Sequence, residues 1–158
     1  MNPTDVLMYG QRTLTDAIGR LGPDDWTTPG ALGEWTAKDI VGHLGAFEVR
    51  FVEILAGFAG EPVTPSLMSA DPETFNDDQA AIRADWSVEA VLAELDEAHA
   101  RVMELARRIP AARWSEIGTI PWYGPQYSLD DLVVYTMYGH KREHSPQIEA
   151  VAERVRSG

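Results

Sequence analysis

The sequence predicts an all-α protein, a four-helix bundle with a long crossover between helices two and three. Three observations carry that expectation. Apolar residues return every three or four positions through four long segments, each opening on a residue able to cap a helix. An irregular, proline-bearing stretch over residues 60–86 separates the second segment from the third, and a long connection is one way to join parallel neighbours in a bundle. The 158 residues suffice for one domain with a sizeable core, and 44% hydrophobic with 24% charged is an ordinary globular composition.

Asn2-Pro3-Thr4 is a helix start, and Leu7, Leu14, Ile18 and Leu21 follow at helical spacing until Gly22-Pro23 stops the run. Thr36 caps the second helix, with Asp39 three residues on in the acidic position of a capping box. That helix is expected from Ala37 to Ala59, with Ile40, Leu44, Phe47, Phe51, Leu55 and Phe58 facing the core. Pro62, Pro65 and Pro72 break the crossover, which has room for a short helix over Glu73 to Ala84. Ser87 caps the third long helix; Glu89 and Glu94 read as solvated, Val88, Val91, Leu92, Leu95, Val102, Leu105 and Ile109 as buried, and Pro110 ends the run.

The segment Arg113 to Tyr127 holds Trp114, Trp122, Tyr123 and Tyr127, too aromatic for a solvated loop and too broken by Pro121 and Pro125 for a regular element. It is expected to pack over the bundle. Ser128 with Asp131 forms a second capping box and opens the last helix, which should reach about Arg154 with a local bend at Pro146. No internal repeat or linker divides the chain, so residues 1–158 read as a single domain.

Lysine and arginine number 13 against 25 aspartate and glutamate, a formal net charge of −12. Such a surface repels a phosphate backbone, so neither nucleic acid nor an anionic membrane is an expected partner. Apolar stretches are interrupted well before the roughly 20 residues needed to span a bilayer, and Met1 to Gly10 lacks the basic start and apolar core of a signal peptide, which points to a cytoplasmic protein. The absence of cysteine excludes disulfides, thiolate-bound zinc and a cysteine nucleophile, leaving nitrogen and oxygen as the donors for any metal.

Four histidines carry most of the functional information. On the last helix the apolar stripe reads Leu129, Val133, Met137, His140, His144, Ile148 and Val151, so two imidazoles occupy positions where a bundle normally places leucine. Four residues apart they share one face, at a spacing that lets two nitrogens converge on one ion at about 2.0–2.1 Å. His43 falls between Ile40 and Phe47 on the stripe of helix two and projects into the same interior. Three buried polar rings without partners would cost about 1–3 kcal/mol each, and they could not all be protonated side by side. A shared cation resolves the conflict, and zinc, nickel, copper or iron accepts three imidazoles with a coordination position left open. The plainer alternative is a set of histidines hydrogen-bonded across a core. His99, near the stripe of helix three, reads as a residue at the rim of the cluster.

The stretch Glu34-Trp35-Thr36-Ala37-Lys38-Asp39-Ile40-Val41-Gly42-His43-Leu44, with Glu48 beyond, resembles the helix-two signature of the DinB-like and YfiT-like superfamily, in which a Trp-[Ser/Thr]-x-Lys-Asp start precedes a ligand histidine. Tyr138-Gly139-His140-Lys141-Arg142-Glu143-His144-Ser145-Pro146-Gln147-Ile148 resembles the family's His-x-x-[Glu/His]-His-x-x-Gln-Ile segment. The resemblance covers nearly the whole chain and implies a four-helix bundle, often a homodimer, with His43, His140 and His144 as a metal triad for nickel or zinc. It also implies a thiol-dependent transferase using a low-molecular-weight thiol, or a hydrolase acting on a small molecule through activated water. Glu143 and Glu48 are the candidate catalytic proton acceptors. The alternative is a small-molecule binding or stress-sequestration protein without turnover.

Overall fold

The computed structural model describes residues 2–64 and 66–157, and of residues 155–157 the backbone alone. Pro65, read above as one of the crossover breakers, lies outside the described residues. Every regular element described is helical, and an isolated bridge between Leu32 and Trp35 is the one β-type pairing among the described residues.

Helix α1 (Pro3–Ile18) starts where the Asn2 side chain accepts a hydrogen bond from the Thr4 amide at 3.1 Å, with proline just inside the first turn. Helix α2 (Ala37–Phe58) opens on the expected capping box: the Thr36 hydroxyl accepts from the Asp39 amide at 3.1 Å, and the Asp39 carboxylate accepts from the Thr36 amide at 2.8 Å. The connection that follows α2 carries α3 (Phe75–Arg83), and α4 (Val88–Arg108) begins on Ser87, whose hydroxyl accepts from the Ala90 amide. A short α5 (Ala111–Trp114) leads into the aromatic segment, where Trp114 and Ile120 are buried and Trp122 is exposed.

The Ser128–Asp131 box opens α6 (Leu129–Leu132), which runs through a π-helical stretch (Val133–Tyr138) into α7 (Gly139–Ser157). Helix α7 continues through Pro146, and the departure from α geometry sits just before His140, where the Gly139 amide reaches back to the carbonyl of Val134, five residues earlier.

Helix α2 packs along α4, and α1 along α7 and the π-helical stretch; α2 also meets α7 and α3, and α1 meets α4. Gly10 lets α1 approach the last helix closely, since a Cβ there would stand 3.3 Å from Tyr138 Cδ2. The apolar interior falls into two clusters. One gathers Leu7, Phe51, Leu55, Val102 and Met137, the other Leu14, Ile40, Leu44, Leu95 and Ile148. On each of the four long helices a polar residue stands between the two: Gln11, Glu48, His99 and Lys141. No described helix is long and apolar enough to cross a membrane.

Candidate metal centre

The start of α2 is fixed before His43 is reached. Lys38, the lysine of the first motif, donates to the carbonyls of Ala84 and Trp86 at 2.8 Å each, tying the first turn of α2 to the link between α3 and α4. Trp35 lays its ring 5.2 Å from that of His43. Behind His43, Gly42 and Gly45 leave room for an ion pair: Cβ atoms on them would lie 3.4 Å from Arg83 Cδ and 3.0 Å from Glu94 Oε1. Arg83 grips Glu94 with two hydrogen bonds, at 2.6 and 2.9 Å, and also binds Gln79. Glu94 is thus no solvated residue. Its partner comes from α3, which no periodicity along α4 could reveal.

The structure brings His43, His140 and His144 together, with one potential ligand atom from each within 4.8 Å of the others. His43 and His140 face each other through their Nε2 atoms at 2.8 Å, and the ring centroids of the trio stand 4.7, 4.7 and 5.2 Å apart. His43 is 7% exposed and His144 5% exposed; His140 is half-buried. His144 Nδ1–H can donate to Gln147 Oε1 at 2.7 Å, which turns the Nε2 lone pair of that ring away from Gln147. Gln147 belongs to the second motif, and orienting His144 accounts for its place there.

Burial, followed by the nearby His144, lowers the His43 imidazole to about 4; burial, then His43, His144 and Lys141, lowers His140 to about 3. Both rings are therefore neutral at physiological pH, the form a metal ion requires. Two neutral Nε2 atoms at hydrogen-bond distance need a proton between them, and His43 Nδ1 is buried without a hydrogen-bond partner among the described residues. This donor set fits a divalent transition ion, which would take the lone pairs that otherwise confront one another.

Glu48 is fully buried, with Oε1 3.0 Å from His99 Nδ1 and Oε2 2.9 Å from the ammonium of Lys141, itself 2% exposed. Lys141 also donates to Gln11 Oε1 at 2.8 Å. Burial alone would push the Glu48 carboxyl up, but Lys141 and His99 outweigh it and hold the group below the usual carboxylate range. One polar network thereby joins α1, α2, α4 and α7. Lys141 and Gln11 were missed from sequence. A lysine one turn from Met137 on a buried stripe was the available signal, but its mate lies some ninety residues away.

Glu143 is exposed and lines a cleft of about 300 Å³ together with His140, Phe47, Tyr135, Thr136 and Gly139. A smaller cavity of about 50 Å³ adjoins it, sharing Phe47 and Thr136 and bounded further along α2 by Arg50, Phe51 and Ile54. Among nearby aromatic residues, Trp35 packs against His43 and Trp122 lines this smaller cavity, while Tyr123 and Tyr127 pack on each other at 5.0 Å.

An all-helical protein with three convergent imidazoles able to hold a metal ion, open to a cleft on one side, is the class that fold and cluster define. The chain belongs to the DinB superfamily, whose family model matches residues 8–148. No curated protein and no solved structure matches it.

Proposed function

We propose that this protein is a four-helix bundle, with α3 inside a long crossover between its second and third long helices. In this reading it holds one divalent transition-metal ion, nickel or zinc, through His43, His140 and His144. It acts on a small molecule in the cleft beside His140 as a thiol-dependent transferase or a hydrolase. The convergence of three buried or half-buried imidazole nitrogens, two of them neutral at physiological pH, is the observation that carries this reading.

A bound ion would supply positive charge that lowers the pKa of a thiol or water and so makes a nucleophile available near neutral pH. The chain supplies the rest. Gln147 orients His144, Phe47 and Thr136 wall the cleft, and Glu143, exposed on its rim, is in this reading the acceptor of a proton from an incoming thiol or water. Glu48 has both oxygens engaged inside the protein, so its role in this reading is to position α2 against α7. The lack of cysteine agrees with a nucleophile brought in from outside. The family resemblance extends the proposal to a homodimer.

Metal analysis of protein purified without an affinity tag tests the reading. Nickel or zinc near one equivalent per chain is expected, falling below a tenth in His144→Ala; a wild type without stoichiometric transition metal returns the cluster to a structural role. Sedimentation of the same sample reports the dimer, which a single-chain mass rejects. Incubation of the loaded protein with low-molecular-weight thiols and electrophiles then separates turnover from stoichiometric capture, the latter favouring a binding or sequestration protein.

A further inference from the structure

Arg50 stands seven residues after His43 on α2, two turns further along the same face, or about 10 Å at the helical rise. Its guanidinium lies between two aromatic rings, 5.3 Å from the centroid of Phe75 and 5.1 Å from that of Trp122. In a chain with 25 acidic residues against 13 basic ones, carboxylates are plentiful, and other arginines use them: Arg83 binds Glu94, Arg101 and Arg108 both bind Glu61, and Arg113 binds Glu116. Arg50 makes no ion pair among the described residues, and its Nε is buried without a hydrogen-bond partner. Glu53, one turn on, acts on Arg50 electrostatically but forms no ion pair with it among the described residues. Its oxygens are taken by the amides of Ser66, Leu67 and Met68 and by the Ser66 hydroxyl.

The guanidinium borders the small cavity formed with Phe47, Phe51, Ile54 and Met137, which shares Phe47 and Thr136 as lining with the His140 cleft. A planar fork of donors held by two rings beside a small apolar cavity suits a planar anion taken edge-on. With Glu53 close enough to act on Arg50 electrostatically, the local charge suits a monoanion better than a doubly charged phosphate.

We propose that Arg50 is the recognition point for a carboxylate, so that the protein's small-molecule ligand is an organic acid whose apolar body lies along Phe47 and Phe51 and whose other end reaches the His140 cleft. The proposal rests on the metal-centre reading only for that other end.

The test titrates metal-loaded protein, and the same protein after treatment with EDTA, with 4-phenylbutyrate, its neutral amide and inorganic phosphate, read by tryptophan fluorescence and by the Arg50 Nε resonance in nitrogen-15 spectra. The acid is expected to bind at least tenfold more tightly than the amide and to shift that resonance. Arg50→Gln should bring the acid to the affinity of the amide with metal content unchanged. Equal affinity of acid and amide for the wild type, or a preference that survives in Arg50→Gln, overturns the proposal, as does tighter binding of phosphate than of the acid. If Arg50→Gln fails to fold, the wild-type resonance decides: a shift with the acid and none with the amide supports the assignment, and no shift with either rejects it. A preparation that carries no metal yet keeps the acid preference supports the role of Arg50 while it rejects the metal centre.

Discussion

A leucine-like position filled by an imidazole is a signal that sequence alone displays, and His43, His140 and His144 were legible for that reason. Their acidity was not. An unburied imidazole titrates near 6.5, whereas burial and mutual proximity hold His43 at about 4 and His140 at about 3. In the unfolded chain both rings recover the ordinary value, so between pH 6.5 and those lower values the unfolded state binds more protons than the folded one. Stability then rises with pH and is lost as pH falls through that window. The melting temperature of metal-free protein is accordingly expected to drop from pH 6.5 to 4.5, with a shallower drop in His140→Phe; a wild-type profile flat over that interval would contradict neutral buried rings. Arg50 stayed illegible for a different reason. What marks it is the lack of a partner, and partners become visible only when residues from distant segments are placed around it.

Capping boxes and periodicity located the long helices closely, because a Thr or Ser followed three residues later by Asp satisfies orphan amides within one turn and needs no tertiary information. The π-helical stretch Val133–Tyr138, which packs against α1, escaped notice, since nothing in those six side chains announces an i to i+5 bond. The two faces of α2 also differ in ways that composition hides. A Cβ at Gly57 meets nothing within 4 Å, while one at Gly45 meets Glu94 at 3.0 Å. Gly57→Ala should therefore stabilise the protein by about 0.5–1 kcal/mol through helix propensity. Gly45→Val should destabilise it by about 1–3 kcal/mol by pushing Glu94 off Arg83. Urea denaturation checks both, and a Gly45→Val variant as stable as the wild type or more so would show that Gly45 is not a packing site.

Over the whole molecule, the all-helical class followed from pattern, and the partition of the core did not. Sequence stripes suggested one apolar interior, yet Gln11, Glu48, His99 and Lys141 meet across it and leave apolar clusters above and below. Glu48→Leu strands the Lys141 ammonium in the interior, and a loss of about 3–5 kcal/mol is expected in equilibrium unfolding. Adding Lys141→Met should recover much of it, since neither charge is then left alone. Additive losses in the double variant would mean that the two side chains are not coupled.

A charged tier at mid-height also limits how far a helix can slide. Were α7 to slip by one turn, about 5.4 Å, the Lys141 ammonium would come to rest among aliphatic side chains and Glu48 would face no cation, whereas an interior of leucine alone would accept the slip with little penalty. The level at which His140 and His144 stand opposite His43 is thus inherited from a neighbouring bond between a carboxylate and an ammonium, and the imidazoles are kept in step before anything arrives to bind them.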